Sequence, residues 1–395
     1  MAKPTIRFRG FDDEWEQRKL GDVLDDMYNG KTPSRNKSEY WNGNIKWLSS
    51  GELNRGTVYD SIEMITEDGQ KSANLRIVPK GTFIMAITGL EAAGTRGNCA
   101  LLGFDTTLNQ SCMALFPKKD LLTSDFLFQW YRKVGEEYGL NYTQGTKQQS
   151  YNAELIKILP ISLPSVAEQK KIASYLSHID HLITLHQRKC DETKKLKKYM
   201  LQKMFPQNGS KVPEIRFKGF TDEWEQRKLD DVVEFLDTMR KPLEGAKRIS
   251  GPYPYYGASG IVDYVDGYLF DEELILLSED GANIIDRNYP VCFLASGKYW
   301  VNNHAHVLRT KQGNENNFIC NSLERKDYTQ YNTGMAMPKL NKETCKKIPI
   351  LCPGFEEQKK IGDYFRSLDN LITLHQHKCE EIKKLKKFML QNMFI

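Results

Sequence analysis

Two short motifs in this sequence have residue types and spacings that could carry out chemistry. The segment His304–His306 places two imidazoles around one alanine on an expected strand, as in a metal pair. No third ligand accompanies them, so contact with a nucleic-acid base or phosphate is the better hypothesis. The nuclease-like pattern Glu-x-Lys occurs at 168–170 and 357–359, but no Pro-Asp precedes it and each copy opens a predicted helix. We interpret these glutamates as solvated helix charges.

Motifs for other reactions are missing from the sequence. It contains no GxxxxGK[ST] phosphate loop and no GxGxxG run after a strand, so no motif indicates ATP or a dinucleotide. An Asn-Pro-Pro-aromatic tetrapeptide, expected in an adenine methyltransferase, is also absent. These observations argue against a catalytic centre.

Polar loops are the remaining candidates for function. Residues 30–53, GKTPSRNKSEYWNGNIKWLSSGEL, mix Lys31 and Arg35 with Trp41 and Trp47. Asn, Gln, Arg and Lys can pair with base edges, and Ser, Thr and Lys can contact phosphates. Polar loops also cover ordinary protein surfaces, so composition alone leaves both interpretations open.

The segments that must position these loops occur twice. PTIRFRGFDDEWEQRKL at Pro4–Leu20 matches PEIRFKGFTDEWEQRKL at Pro213–Leu229, 209 residues later. EQKKI at Glu168–Ile172 recurs at Glu357–Ile361, only 189 residues later, so the second repeat is 20 residues shorter in between. Residues 21–140 and 230–330 share almost no identity. We call the repeated segments the frame and the unlike residues between them the variable segments. Neutral drift after a duplication should change both to a similar extent, so we infer two variable segments on a constant frame.

A long helix follows each variable segment. Glu168–Phe205 contains no Pro or Gly, and Ile172, Leu176, Ile179 and Ile183 follow helical spacing with a coiled-coil seam. The second copy repeats this seam from Ile361 to Ile372. At the helical rise, 38 residues extend about 57 Å. The alternative is a pair of surface helices, each packed on its own domain.

The lysine-rich ends of both helices are expected to be solvated faces. They contain Lys194, Lys195, Lys197 and Lys198 in one copy and Lys383, Lys384, Lys386 and Lys387 in the other.

Buried strands are predicted inside the variable segments. Gly81–Gly89 and Ser111–Pro117 lie in the first, and Glu272–Gly281 and Val291–Gly297 lie in the second. The sequence therefore predicts an α+β fold of two globular recognition domains separated by two long helices in an antiparallel coiled coil, with a pseudo-twofold internal repeat. The expected ranges are 1–165 for the first domain, 166–206 for its helix, 207–354 for the second domain and 355–395 for its helix.

Composition sets broad limits. The chain has 395 residues, a net charge of +5 and eight cysteines with no CxxC pair, so we expect a cytoplasmic protein with reduced thiols. It has no signal-peptide core and no run near the roughly 20 apolar residues of a membrane span. We therefore expect no membrane partner.

The motifs resemble those of a known family. GKTPSRNKSEYWNGNIKWLSSGEL is similar to the G-x-T-P and Y-W-N-G-x-I-x-W opening of a target recognition domain in specificity subunits of type I restriction-modification systems. Gly251–Ile284 resembles another version of that domain, and Gly145–Ile172 resembles its junction with the conserved helix. The resemblance covers nearly the whole chain.

The resemblance implies a non-catalytic DNA-binding subunit. Each recognition domain would read one half of a bipartite double-stranded target, and the helices would set the spacer. Two methyltransferase subunits and two restriction motor-nuclease subunits would join it. No cofactor is expected in this chain, whereas S-adenosylmethionine, ATP and Mg are implied for the partners. Half-site centres about one helical turn apart, roughly 34 Å, would lie on one face of the duplex.

Candidate DNA contacts are drawn from the polar loops. In the first domain they are Lys31, Ser34, Arg35, Asn36, Ser50, Asn109, Gln110, Lys147, Gln148 and Gln149. In the second they are Arg240, Lys241, Tyr256, Ser259, Asn283, Asn302, Asn303, His304 and Lys339. The loop GMAMPK replaces GTKQQS, so Met335 and Met337 could only make apolar contacts, such as to a thymine methyl, or pack.

Two other classes of function are compatible with parts of the sequence. An adaptor could use the helices to recruit proteins and the variable domains to bind protein or carbohydrate, and it would retain no DNA by sequence. An autonomous nuclease or methyltransferase is disfavoured by the missing motifs. Trp15 and Trp224, inside the repeated DEWEQRKL, are expected to be core anchors, while the rest of that motif could contact the partner subunits.

Overall fold

In the computed structural model, the described residues are 3–92, 94–145, 149–207 and 209–395, and they divide into two units. Unit 1 consists of the chain up to Leu185 together with Lys378–Ile395. Unit 2 is the continuous segment His186–His377. Each long helix contributes residues to both units, which the sequence-based domain ranges did not anticipate.

Unit 1 contains ten strands and three helices up to the first long helix, within its described residues. The strands are β1 (Glu16–Lys19), β2 (Leu24–Asn29), β3 (Trp41–Leu48), β4 (Thr57–Val58), β5 (Glu63–Ile65), β6 (Phe83–Ala86), β7 (Cys99–Leu102), β8 (Thr107–Leu108), β9 (Cys112–Pro117) and β10 (Pro160–Leu163). The helices are α1 (Glu67–Ser72), α2 (Ser124–Asn141), α3 (Ala153–Lys157) and then the long α4 (Val166–Lys203), with 3-10 turns at Leu20–Val23, Ser38–Tyr40 and Ser50–Glu52.

The strands of unit 1 form three sheets. A five-stranded sheet has the order β2-β9-β6-β7-β4, a three-stranded sheet has the order β5-β3-β8, and β1 pairs with β10. Strands β6, β7 and most of β9 are fully buried because both faces are covered, which explains their continuous apolar sequences. Helix α2 is capped at its N-terminus by Thr123, whose side chain accepts a hydrogen bond from the Phe126 N–H.

Unit 2 repeats this plan with different contents. Its strands are β11 (Glu225–Lys228), β12 (Val233–Phe235), β13 (Ser250–Gly257), β14 (Gly260–Val265), β15 (Phe270–Asp271), β16 (Leu274–Ser278), β17 (Cys292–Ala295), β18 (Lys298–Val301), β19 (Ala305–Thr310) and β20 (Pro349–Cys352). Its helices are α5 (Leu229–Val232), α6 (Asn283–Asp286), α7 (Asn316–Glu324), α8 (Lys342–Lys346) and the long α9 (Phe355–Asn392), with 3-10 turns at Asp237–Met239, Gly245–Lys247 and Thr329–Tyr331.

The sheets of unit 2 have the orders β12-β19-β16-β17, β14-β13-β18-β15 and β11-β20. Strand β16 is buried along its whole length, as the apolar run in Glu272–Gly281 predicts. No helix in the described ranges combines the length and apolar character needed to cross a membrane.

The repeated motif forms the same strand pair in each unit. Strand β1 pairs antiparallel with β10 from Glu16 opposite Leu163 to Lys19 opposite Pro160. Strand β11 pairs with β20 in the same register, from Glu225 opposite Cys352 to Lys228 opposite Pro349. The start of each variable segment is therefore hydrogen-bonded to its end, so the insert leaves and returns at one fixed place.

The first turn of each long helix carries a buried carboxylate. Arg7 binds Glu168 through two hydrogen bonds of 2.7 and 2.8 Å, and Arg216 binds Glu357 with the same two distances. The side chains of Glu168 and Glu357 are only 1% and 2% exposed. Our interpretation of these glutamates as solvated helix charges was therefore wrong, because each pairs with an arginine from the distant start of its repeat.

The tryptophans of DEWEQRKL are core residues, as predicted. Trp15 packs edge-on against Phe126 and Phe394, with ring centroids 5.9 and 6.3 Å away. Trp224 packs in the same way against Phe318 and Phe205. Phe394 follows α9 and Phe205 follows α4, so the end of each long helix completes the core of a unit that it does not begin.

Within each unit, α4 and α9 contact each other in antiparallel order. Lys386 binds Asp180 in unit 1, and Lys197 binds Asp369 at 2.6 Å in unit 2. Lys386 is 5% exposed, and burial lowers its pKa to about 8. The expectation of wholly solvated lysines is thus wrong for Lys386 and, in part, for Lys197, because each pairs with an aspartate of the opposite helix.

The predicted seam residues serve two purposes. Ile172, Leu176 and Ile179 lie in the core of unit 1, where they join the same hydrophobic cluster as Met393 and Phe394. In unit 2, the seam beginning at Ile361 joins the cluster that contains Phe205. The helices therefore pack on their domains as well as on each other, which combines the two interpretations of the sequence.

The first testable prediction concerns the buried ion pairs. The substitution Glu168→Gln keeps the side-chain volume but leaves the partly buried Arg7 without its counter-charge. We expect a loss of about 3 kcal/mol in the free energy of unfolding. Glu357→Gln should have a similar effect in unit 2, as measured by urea denaturation at neutral pH. The exposed Glu16→Gln is the control and should leave the transition unchanged; equal effects of all three would contradict a special role for the buried pairs.

Candidate DNA interface

Three loops of unit 2 are joined by backbone hydrogen bonds into one surface. The loop after β16 is bound to the loop before β19, because the Glu279 N–H donates to the His304 carbonyl at 2.8 Å. It is also bound to the loop before α8, where the Leu340 N–H donates to the Glu279 carbonyl at 2.7 Å. The Gly281 N–H donates to the Pro338 carbonyl at 3.0 Å. Side chains that are far apart in the sequence therefore share a surface.

Charged groups beneath this surface hold the loops in place. His306 is 1% exposed, and its Nδ1 and Nε2 lie 2.7 Å from an Asp237 carboxylate oxygen and the Leu340 carbonyl oxygen. Because both neighbours are acceptors, both ring nitrogens must donate, and the imidazole is charged. Burial alone would lower the pKa of His306, but its contacts with Asp237 and Cys345 outweigh burial and raise that pKa to about 10.

The two histidines of the His304–His306 segment face different groups. His304 is half-exposed, and its Nδ1 lies 2.8 Å from an Asp280 carboxylate oxygen. His306 points inward to Asp237. In the described ranges, no group of three or more His, Cys, Asp or Glu residues could hold a metal ion. These two imidazoles thus do not share a ligand position.

The predicted contacts of the second domain separate into exposed and structural residues. Lys241, Ser259, Asn303, His304 and Lys339 are exposed. Others have partners within the protein: the Arg240 guanidinium donates to the Ala305 carbonyl at 2.7 Å, and Asn302 accepts the His304 N–H at 2.8 Å. Asn283 binds the backbone of Tyr289, and the Tyr256 ring packs at a tilt against Phe293 and edge-on against Tyr299.

Loops of unit 1 converge in a similar way. The Lys31 N–H donates to the Leu108 carbonyl at 3.0 Å, and the Asn109 N–H donates to the Leu48 carbonyl at 2.9 Å. The hydroxyl of Thr32 binds the side chain of Gln110. These bonds gather the turn that contains Lys31, the turn before Ser50 and the turn at 109–110.

The predicted contacts of the first domain also differ in exposure. Lys31, Ser34, Arg35, Asn36 and Gln110 are exposed, whereas Ser50 and Gln149 are half-buried. Asn109 is buried, and its side chain accepts the Ser111 N–H at 3.1 Å. Lys147 and Gln148 lie outside the described residues.

Arg35 has partners that the sequence did not reveal. Its guanidinium makes two hydrogen bonds to the Glu63 carboxylate, the longer of which is 2.8 Å. It also lies 3.7 Å from the ring centroid of Trp41. A guanidinium that is paired and stacked in this way is held in one orientation, which would suit hydrogen bonding to a planar group. The acidic partners Glu63, Asp237 and Asp280 were not among the predicted site residues because nothing local in the sequence links them to Arg35, His306 and His304.

One backbone hydrogen bond recurs at equivalent places of the two units despite the different sequences. The Gln144 and Ser150 backbones exchange hydrogen bonds of 3.0 and 2.9 Å, and at the equivalent place the Thr333 N–H donates to the Lys339 carbonyl at 2.8 Å. At the tip of the second loop, Met335 is fully exposed and Met337 is 60% exposed. Two exposed methionines beside Lys339 form an apolar tip on an otherwise polar surface, and neither packs in the core.

Comparison with solved structures identifies the class of fold. The S subunit of a type I restriction-modification system from M. genitalium matches with a TM-score of 0.73 and 16% sequence identity, covering 100% of this chain and 99% of that one. This likeness shows a common fold of two units with long helices.

Sequence comparisons give the family. The family model described as "Type I restriction modification DNA specificity domain" matches residues 12–195 and 221–384. The Haemophilus influenzae subunit S.HindORF215P is 35% identical over 167 residues, which span 42% of each chain. The MjaIX specificity subunit of Methanocaldococcus jannaschii is 23% identical over 96% of this chain and 92% of its own.

This chain therefore belongs to the family of type I restriction-modification specificity subunits, and it carries two copies of the DNA specificity domain. Specificity subunits are the non-catalytic component, and catalysis in these systems lies in other subunits. The loop surfaces described above are the variable parts of these two copies.

The second testable prediction follows from the charged state of His306. The folded chain binds this proton up to about pH 10, whereas the unfolded imidazole releases it near its ordinary value of 6.5. Its stabilising contribution is thus complete below pH 6.5 and is lost as the pH rises towards 10. The contribution of His306 to the free energy of unfolding should fall across this window by on the order of 1 kcal/mol per pH unit, and the difference between the wild type and His306→Gln isolates it from other titrating groups such as Lys386.

Urea denaturation between pH 6 and pH 10 measures this slope. His306→Gln should flatten it, whereas the control His304→Gln, at the exposed neighbour, should retain it. The same slope in the wild type and in His306→Gln would show that another group titrates.

Proposed function

We propose that each unit reads one half of a bipartite target on double-stranded DNA, while the paired α4 and α9 set the unread spacer. The observation that carries this proposal is the contrast between frame and loops. The two strand pairs and the two buried Arg-Glu pairs are nearly superposable in register and distance. The loops that each frame carries are unrelated in sequence. Two domains that recognise different half-sites would need such a difference.

The exposed loop residues are suited to different kinds of DNA contact. Lys31, Lys241 and Lys339 would contact phosphates, and amides such as Gln110 and Asn303 would read base edges. Met335 would contact the methyl group of a thymine. Arg240, Asn109 and Asn302 would act indirectly by holding the loops, because their polar groups already have protein partners.

The partners would dock on the constant frame. In DEWEQRKL only the tryptophan and leucine are buried in both copies, yet the exposed Asp, Glu, Gln and Lys residues are also identical. Packing does not require identity at exposed positions. The repeated exposed pair Leu196 and Tyr199, matched by Leu385 and Phe388, supports the same inference. A surface that occurs twice fits two copies of one partner.

We therefore propose that two methyltransferase subunits bind this duplicated surface and that two restriction subunits join them. A neighbouring structure, with a TM-score of 0.51, concerns complex assembly of a type I restriction-modification system and is consistent with such an arrangement. S-adenosylmethionine, ATP and Mg would be bound by these partners for the reactions, and the complex would act on DNA in the cytoplasm.

The third testable prediction concerns the bipartite target. The chain is co-expressed with a matching methyltransferase subunit in a host without DNA methylation, and methylated adenines are mapped across its genome. We expect one motif of two parts with a fixed gap. Methylation without a two-part motif, or none from a well-formed complex, would contradict the proposal and favour the adaptor alternative.

Loop variants should then act on one half of the motif each. Gln110→Ala should relax or weaken only the half read by unit 1, and Met335→Gln only the other half. Each lost base contact should reduce discrimination by about 1 to 3 kcal/mol. Lys80→Ala is the control, because Lys80 is an exposed lysine outside the proposed contacts. If Met335→Gln changed the number of bound partner subunits but left the methylated motif intact, we would assign the methionines to partner docking.

The fourth testable prediction concerns the duplicated surface. Tyr199→Ser and Phe388→Ser each remove one exposed aromatic ring, so each should weaken the binding of one methyltransferase copy by at least about tenfold, or 1.4 kcal/mol. Mass photometry should show loss of one copy in each single variant and of both in the double variant. Tyr59→Ser, at a 76% exposed residue of a variable segment, is the control. Full assembly of the double variant would exclude this surface.

A further inference from the structure

A cavity of about 980 Å³ lies in unit 2, and the DNA-reading proposal does not use it. Helix α7 and the edge strand β17 form its floor, and the unit 2 segments of α4 and α9 form its walls. Its volume is in the range of sites that hold small-molecule ligands, about 300 to 1,000 Å³. The polar groups that line it indicate which ligand it would accept.

The floor carries two buried carboxamides with unsatisfied hydrogen-bonding capacity. Asn317 and Asn321, one helical turn apart on α7, are each 4% exposed. The Asn321 amide donates to the Asn317 carbonyl at 2.7 Å and to its side-chain oxygen at 3.1 Å. Within the described part of the chain, the Asn317 Nδ2 donor and the Asn321 Oδ1 acceptor have no partner. Both atoms keep a small solvent-accessible area, so a ligand in the cavity can reach them.

The walls carry an excess of positive charge. Lys197 is neutralised by Asp369 at 2.6 Å, Arg287 by Glu324 at 3.1 Å and Arg366 by Glu273 at 2.8 Å. Among the described residues, no carboxylate pairs with Lys194 or Lys198, which stand one turn apart on α4 and line the cavity. Two ammonium groups without a carboxylate partner and two carboxamides line the same cavity, so an anion that also has hydrogen-bonding groups would suit it.

Unit 1 provides an internal comparison. The Thr123 N–H bonds to Gln169 and the Glu315 N–H bonds to Gln358, which aligns α2 with α7. In this alignment, Asn321 corresponds to Gln129, Cys320 to Phe128 and Glu324 to Arg132.

The unit 1 residues are larger and pair with one another. The Arg132 guanidinium binds Asp180 at 2.6 Å and lies 5.1 Å from the Phe128 ring centroid, while Gln129 contacts Asp180 at 3.4 Å. Smaller side chains at the equivalent places of unit 2 leave the space open. These substitutions distinguish the lining of the cavity in the second repeat from the equivalent residues of the first.

We propose that this cavity binds an adenine nucleotide, with its phosphates on Lys194 and Lys198 and its base on the Asn317 and Asn321 carboxamides. Adenine offers a donor at N6 beside an acceptor at N7, which complements a free amide donor and a free amide acceptor. Guanine offers two acceptors on that edge and fits less well. Inorganic phosphate alone would leave the two carboxamides unsatisfied.

Isothermal titration calorimetry of the full chain without partner subunits, with ATP as the probe, tests this proposal. We expect binding of one ATP, and at least tenfold weaker binding by Lys194→Ala/Lys198→Ala and by Asn321→Leu. The matched control is Lys383→Ala/Lys387→Ala, which removes the equivalent lysines of the other repeat and should bind ATP normally. Circular dichroism of each variant verifies that it is folded.

Competition experiments define the ligand class. Tripolyphosphate and GTP should each bind at least tenfold more weakly than ATP. Equal binding of tripolyphosphate, or of GTP, would overturn the assignment of an adenine site. No ATP binding, or binding that survives Lys194→Ala/Lys198→Ala, would overturn the cavity as a nucleotide site. None of these outcomes bears on the methylation motif, so this inference can fail while the proposed function stands.

Discussion

A carboxylate removed from water needs a counter-charge, and this requirement organises both repeats. Glu168 and Glu357 are almost fully buried at the starts of the two long helices, and each is held by an arginine from the beginning of its repeat. The following glutamines, Gln169 and Gln358, bind the backbone where α2 and α7 begin. One turn of helix thus joins the start of the repeat, the domain helix and the spacer helix. Since removing one partner of such a pair is strongly destabilising, the frame tolerates little change there.

The sequence of each variable segment can differ because the two ends of the segment are fixed outside its loops. The strand pairs β1 with β10 and β11 with β20 close the variable segments before any loop residue is reached. Backbone hydrogen bonds, such as the one from Glu279 to His304, also hold the loops, and these bonds place few demands on side-chain type. Side chains at the loop tips can therefore change without loss of the fold, which is the property that a family of DNA readers with different targets needs.

The sequence predicted the regular elements well and the long-range pairings poorly. The helix expected from Glu168 to Phe205 is α4, Val166–Lys203, and the apolar runs near residues 83, 112, 274 and 292 are strands. Periodicity and apolar runs are local, so they can be recognised without knowledge of the fold. The burial of Glu168 could not be, because its partner lies 161 residues away. The same applies to Lys386 with Asp180, and to the acidic groups that pair with His304, His306 and Arg35.

The division of the chain into units also has a consequence for the order of synthesis. Unit 2 is one continuous segment, whereas unit 1 takes its last piece from Lys378–Ile395. Met393 and Phe394 are buried in the hydrophobic cluster around Trp15, and the Ile6 N–H donates to the Asn392 carbonyl at 2.9 Å. Unit 1 therefore cannot complete its hydrophobic cluster until the last residues of the chain have been made and released. The half of the protein that is synthesised first depends on the part that is synthesised last.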